Sequence, residues 1–278
     1  MVDDLNADLS LNSICVNFGR RRALEQVSFS ARAGEIIVLK GDNGAGKSTL
    51  LRVLAQQCLP SSGRVDRLMA RQTIGFLPQL PPLYPDLSAL AQLRLAAQLY
   101  AADCSMIRPW LARFGLQDDA GRLLGAYSRG MLQRVALVQA LMIRPKLLLL
   151  DEPTTALDAA SVHTLLDALK DGRDERITVI ATHEDAPFLE LAQRVIRLHS
   201  GQVRDEIDLD LWRRTLHLST LDPLNPAELA FPCLERVEPL SKHSARLTLK
   251  PQAGLNELAC ALKHSPITIV SLARVAAP

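Results

Sequence analysis

Gly41-Asp42-Asn43-Gly44-Ala45-Gly46-Lys47-Ser48 has the spacing G-x-x-x-x-G-K-[ST], with Thr49 directly after it. A loop of this kind turns backbone N–H groups inward to cradle phosphate oxygens, and its glycines permit the left-handed backbone that this requires. A helix beginning near the lysine adds the partial positive charge of its N-terminus. In such an arrangement Lys47 reaches the outer phosphates and Ser48 holds Mg2+. A second cluster, Leu147-Leu148-Leu149-Leu150-Asp151-Glu152, is an apolar run ending in two carboxylates. Asp151 suits the Mg2+ site, through water, and Glu152 suits orienting or deprotonating an attacking water. The second carboxylate points to hydrolysis rather than storage of a nucleotide, because it needs a task of its own.

These residues need a parallel sheet to hold them. Alternating apolar positions predict strands over residues 9–39, through Leu11, Ile14 and Val16 and then Val27 and Phe29, with the buried run Ile36 to Leu39 leading into Gly41. Helical spacing of Leu50, Leu51, Val53, Leu54 and Ala55 predicts a helix from Lys47 to about Gln57. Strand signals follow at Ile74–Leu77, Lys146–Leu150, Ile177–Ala181 and Ala192–Leu198, with a helix at Ser161–Lys170. Between Leu87 and Arg144 the chain is rich in Ala, Leu, Gln and Arg, which predicts a helical insertion. Strands alternating with helices indicate a parallel α/β sheet whose carboxyl edge carries the ligand site. Beyond Asp205 the texture shifts. Pro223, Pro226, Pro232 and Pro239 punctuate an irregular connection, followed by a strand at Ala245–Leu249, a helix at Leu255–Lys263 and a strand at Ile267–Leu272. This reads as a small β-α-β unit, with Leu234–Glu238 as an additional strand. The expected domains are 1–208, with the helical insertion at about 87–144, and an accessory α/β domain at 209–278.

Composition narrows the classes of partner. The 278 residues carry 32 Lys+Arg against 30 Asp+Glu, a formal charge of +2, and only 4% aromatics. Neither a basic patch nor a set of stacking rings for a nucleic acid is expected. No stretch approaches the roughly 18 consecutive apolar residues of a membrane span, and the acidic start MVDDLNADLS does not read as a secretory signal. Five scattered cysteines without a CxxC pair read as reduced thiols in a cytosolic protein.

With both clusters in this order, the chain resembles the ATP-binding cassette (ABC) ATPases over roughly residues 9 to 205. Further matches are Pro78-Gln79 for the Q-loop, Tyr127-Ser128-Arg129-Gly130-Met131 with Gln133-Arg134 for the signature usually written LSGGQ, Ala156-Leu157-Asp158 for the D-loop, and His183 for the switch histidine. Phe18-Gly19 falls where the family often has an aromatic that stacks on adenine. The resemblance implies a RecA-like P-loop NTPase core with an antiparallel β edge and a helical signature subdomain, here with a small C-terminal α/β appendage. It implies ATP and Mg2+ as ligands. Glu152, His183 and Gln79 would be catalytic; Ser48, Gln79 and Asp151 would serve the metal; Phe18, the loop from Gly41 to Thr49, Ser128, Gly130 and Asp158 would meet ATP. Asp158 also stands where it would cap the following helix. The signature departs from the usual pattern at Tyr127, Arg129 and Met131, a form seen in ABC-2 exporters, to which the chain looks closest.

In this family the signature contacts ATP held by a second cassette. One loop and one signature therefore imply a dimer, either with itself or with a paralogue. The resemblance also implies a separate integral membrane permease, docked at Gln79–Asp86, and a location on the inner face of the cell membrane. The alternatives are an ABC ATPase acting as a switch on a soluble partner, or on a membrane complex for haem-protein or metalloenzyme maturation.

Overall fold

The computed structural model describes residues 8–67, 74–183 and 187–220, and within 221–278 residues 225, 229, 231–251, 253, 257–258, 261–262 and 269–274. The chain divides into two units, Met1–Glu206 and Ile207–Pro278.

The first unit opens with β1 (Leu9–Phe18) and β2 (Arg21–Ala31), then β3 (Ile36–Lys40), α1 (Lys47–Leu54), β4 (Ser62–Arg67) and β5 (Ile74–Leu77). Three helices follow: α2 (Ala89–Leu99), α3 (Ile107–Arg113) and α4 (Arg129–Met142). The chain then returns to β6 (Leu147–Asp151), α5 (Ala159–Lys170), β7 (Ile177–Ala181), β8 (Arg194–His199) and β9 (Gln202–Asp208). β2, β1 and β4 form an antiparallel sheet of three strands, and the larger sheet has the order β5-β6-β7-β3-β8-β9. Within it β5, β6, β7, β3 and β8 are mutually parallel. β9 returns through Ser200 and Gly201, whose φ of 48° and 81° are those of a type I′ hairpin turn.

The strands that feed the site are apolar without alternation because both of their faces are covered. Every residue of β6 and β7 is buried, and only Lys40 at the end of β3 is not. α1 contributes Leu50, Leu51, Val53 and Leu54 to the same core. This helix ends earlier than the apolar spacing suggests. Gln56 turns to φ 60°, and the N–H groups of Gln56 and Gln57 bond back to Val53 and Arg52 in a Schellman closure. Ser88 and Ser128 each cap a helix of the insertion, accepting from Ala91 and Met131 respectively.

The insertion is seated on the sheet at Gly75. A Cβ there would lie 2.4 Å from the Ala140 carbonyl of α4 and 2.8 Å from the Pro145 ring. Helix and strand backbones can approach this closely only because the side chain is absent.

In the second unit α6 (Leu209–Arg213) precedes β10 (Thr215–Thr220), β11 (Leu234–Ser241), β12 (Ser244–Leu249) and β13 (Ile269–Arg274). The sheet order is β11-β12-β10-β13, and every neighbouring pair is antiparallel. β12 and β13, the two strands expected to flank a helix, run parallel to each other with the antiparallel β10 between them, and β10 is a strand that the sequence pattern did not reveal. Its core joins Leu216, Leu218, Leu247 and Leu249 to Leu258 and Leu262. The expected helix at 255–263 falls largely outside the described residues, as do Pro223 and Pro226 and the first seven residues. Among the described residues no helix is long and apolar enough to cross a membrane.

Replacing Gly75 by Ala is expected to destabilise the protein by about 1–3 kcal/mol through overpacking against α4. Urea unfolding of Gly75→Ala beside the parent measures this, and an unchanged midpoint would contradict the close approach.

Candidate functional site

The carboxyl edges of β3, β6 and β7 converge on one depression formed by two adjoining cavities of about 410 and 350 Å³. One contains Gly41, Asn43, Gln79, Glu152 and His183. The other contains Phe18, Gly44, Gly46, Lys47, Ser48, Thr49 and Asp151, with Asn43, Gln79 and Glu152 common to both.

The loop after β3 is built for a close approach. Gly46, the N-cap of α1, has φ 106°, and a Cβ there would meet the Ala23 carbonyl at 2.7 Å. Glycine carries no capping side chain, and none of the first-turn residues of α1 is acidic. The leading N–H groups are therefore not engaged by a side-chain cap, and the positive end of the helix is not offset. Lys47 is only 6% exposed, with Nζ 2.5 Å from the Gly41 carbonyl and 3.3 Å from that of Asp42. It is folded across the loop, a compact cation among carbonyl oxygens.

Asp151 ends β6 at 2% exposure, and its Oδ1 has no hydrogen-bond partner. Burial pushes its carboxyl above the ordinary 3.8, and the neighbouring Glu152 adds to this, while the Ser48 hydroxyl and the Lys47 charge oppose it. A buried carboxylate oxygen without a donor, next to a serine hydroxyl, is an oxygen donor set suited to Mg2+. The residues present fit that ion, with Asp151 and Ser48 to hold it.

Glu152 sits in the left-handed region at φ 49°, a costly conformation for a non-glycine residue. Surrounding bonds hold it there. Its N–H donates to Ala181, and its carbonyl accepts from the N–H of Thr155 and from Gln133 Nε2, which also reaches Pro153. The side chain is 8% exposed, and Oε2 accepts from Thr182 Oγ1 at 3.3 Å and His183 Nδ1 at 2.8 Å.

Phe18 is 54% exposed at the edge of the depression, an open ring beside the loop. Ser128, Gly130 and Asp158 line neither cavity of the depression. Ser128 caps α4, and Asp158 caps α5 by accepting from Ser161 at 2.7 Å, which holds its carboxyl below the usual range. Gly130 is required by packing, since a Cβ there would fall 2.6 Å from the Ala156 carbonyl. Arg21, Thr155 and Thr182 belong to the site or its support without having been assigned a role from sequence, and Gln133 of the signature match supports the Glu152 loop. Of the first three, only Thr182, adjacent to His183, carried a local signal.

The comparisons agree with this geometry. The ABC transporter family profile matches residues 24–155. The chain is 34% identical to "Uncharacterized ABC transporter ATP-binding protein YxlF" of Bacillus subtilis over 70% of this chain and 69% of that one. It is 35% identical to "Sulfate/thiosulfate import ATP-binding protein CysA 2" of Chromobacterium violaceum, over 72% of this chain and 58% of that one. The solved dimer of the ATP-binding cassette MJ0796 in a post-hydrolysis state with ADP and phosphate superposes with a TM-score of 0.66 at 27% identity, covering 72% of this chain and 98% of that one. A P-loop cassette with these carboxylates is an ATPase that uses ATP and Mg2+. The chain belongs to the ABC transporter family, as an ATP-binding subunit.

Because Asp151 has its carboxyl raised by burial, its contribution to native stability is full below about pH 3.8 and lost as pH rises through the folded value. Asp151→Asn is therefore expected to raise the Tm of the nucleotide-free protein by a few degrees at pH 7.5, while abolishing Mg2+-dependent hydrolysis. The Tm difference should shrink as pH is lowered towards 4. Melting curves across that range test it, and a gap that widened at low pH would reverse the sign.

Proposed function

We propose that this chain is the ATP-hydrolysing subunit of a membrane exporter, acting as a dimer in which each cassette completes the other's site. The observation that supports the hydrolytic assignment most strongly is Glu152, held in a strained backbone conformation with its carboxylate against His183. In this reading the loop N–H groups, Lys47, Ser48 and Thr49 bind the triphosphate, and Phe18 lies against the base. Asp151, Ser48 and Gln79 hold the metal. Mg2+ supplies charge neutralisation on the outer phosphates. Glu152 orients the water and accepts its proton as the water oxygen bonds to the γ-phosphorus and the bond to ADP breaks. His183 keeps the carboxylate oriented by its Nδ1 bond, and Gln79 is shared by both cavities.

The second cassette follows from what the site lacks. Ser128 and Gly130 line neither of the cavities that Lys47 and Glu152 share. A copy presenting them from outside, with Asp158 near the junction, supplies the missing face. The partner cassette is a second copy or a paralogue.

A third cavity, of about 530 Å³, lies between Gln79–Pro85 and the start of α4, with Leu80, Leu83 and Tyr127 in its walls. Leu80 is 87% and Tyr84 is 58% exposed. We assign this apolar groove to a segment of the membrane permease, which places the subunit on the cytoplasmic face. The export direction rests on the Ser128-Arg129-Gly130-Met131 form of the signature.

Glu152→Gln is expected to lower turnover on the order of 10²–10⁴-fold while keeping ATP affinity. It should also run as an ATP-dependent dimer in size-exclusion chromatography, alone or with the co-expressed permease. A monomer with ATP that retained turnover would overturn the mechanism. Leu83→Asp together with Tyr84→Asp is expected to leave basal ATPase intact but to abolish its stimulation by the permease in vesicles. Unchanged stimulation would refute the docking assignment.

A further inference from the structure

A separate cavity of about 420 Å³ opens at the other end of the parallel strands, where the chain enters β6 and β7. Its walls come from α3 and the end of α4 on one side, and from the end of α5 and the approach to β7 on the other. None of its lining residues belongs to the nucleotide depression.

The charges in it do not cancel. Asp171 and Glu175 are its two carboxylates, and each is already in an ion pair, with Arg113 at 2.5 Å and with Lys146 at 2.7 Å. Two further guanidinium groups remain, Arg144 and Arg176, and among the described residues neither has a carboxylate in an ion pair. Arg176 is 6% exposed, with Nη2 donating to the Leu169 carbonyl and Nε to Thr178 Oγ1. These bonds orient the group; burial lowers its pKa, and the Asp171 carboxylate, already paired with Arg113, opposes this in part. Asp103, whose carboxylate feels the Arg144 charge, is itself bonded to the Ser105 hydroxyl and N–H.

Arg144 has an unusual backbone as well. It follows the C-cap of α4 at φ 47°, the position where glycine is the usual choice. An arginine there costs backbone strain and places a cation on the cavity wall. Met106, Pro109, Leu141 and Pro145 supply apolar surface, and Trp110 is half-buried, with the Arg113 guanidinium 5.3 Å above its ring and the Phe114 ring stacked at 6.2 Å.

We propose that this cavity is a binding site for a small aromatic carboxylate. The carboxylate meets Arg144 and Arg176, whose forked donors match its geometry, and the ring packs on the Trp110 indole. The volume suits one such molecule. Because α3 and α5 already meet there through the Arg113–Asp171 pair, a ligand adds a second tie between the helical insertion and the parallel core. The proposal is independent of the nucleotide-site assignment.

The protein has two tryptophans, so Trp212→Phe leaves Trp110 as the sole reporter. Salicylate titrated into this full-length variant is expected to quench Trp110 emission saturably, whereas Trp110→Phe, which keeps Trp212, should show no saturable change. Arg144→Gly removes the cation and relieves the positive φ, so the fold should be retained; it is expected to weaken binding at least about tenfold. Arg144→Gln provides a second charge-free variant with a long side chain. Benzyl alcohol, which has the ring without the carboxylate, should not saturate. Absence of saturation with salicylate, equal binding by both Arg144 variants and the parent, or equal binding of benzyl alcohol would each overturn the proposal.

Discussion

Asp151 and Glu152 are adjacent carboxylates almost completely removed from water at the end of a strand with no exposed residue. Left alone, such a pair is unfavourable, because each charge loses hydration and repels the other. The surrounding structure answers the two differently. Glu152 is turned to φ 49° and its carboxylate receives the Thr182 hydroxyl and the His183 imidazole. Asp151 receives the Ser48 hydroxyl and the field of Lys47 but retains one unpartnered oxygen. These environments suit the proposed roles, the first as a positioned base and the second as a donor for a cation. The parallel order β6-β7-β3 makes this possible, since it brings the ends of three strands to one edge.

α4 reports on that edge from outside. Gln133 donates to the Glu152 and Pro153 carbonyls, while Gly130 lets the helix start lie against the Ala156 carbonyl. Gly75 seats the far part of the same helix on β5. The element whose N-cap is Ser128 is thus fixed by the loop that carries the two carboxylates. A shift of that loop would move Ser128 and Glu152 together, which the proposed site divided between two cassettes requires.

The parts of the site that were legible in the sequence are those set by consecutive residues. Gly41–Ser48 and Leu147–Glu152 each carry strand, turn and chemistry in one run, so local pattern is enough. Arg21 and the bonds of Gln133 to the Glu152 loop were not legible, since they arise only when β2 and α4 fold against distant loops. The helical insertion was visible as composition, but its seating depends on Gly75 and on nothing that periodicity records. In the second unit, alternation located the strands around 234–241 and 244–249. It did not reveal β10, which lies between β12 and β13 and keeps those two strands from being neighbours.

Ser128, Gly130 and Asp158 show why motif and role are separable. Within one chain each has a complete local explanation: a cap on α4, a close contact with Ala156, and a cap on α5. Capping uses one oxygen acceptor of Ser128 and leaves its hydroxyl proton for another partner. Gly130 offers backbone surface on the side away from Ala156. In the proposed dimer the same residues satisfy the monomer and would face a phosphate held by the second cassette. Strength in the local structure is what allows the second role, because a face held by two caps and a glycine contact needs little reordering when a partner arrives.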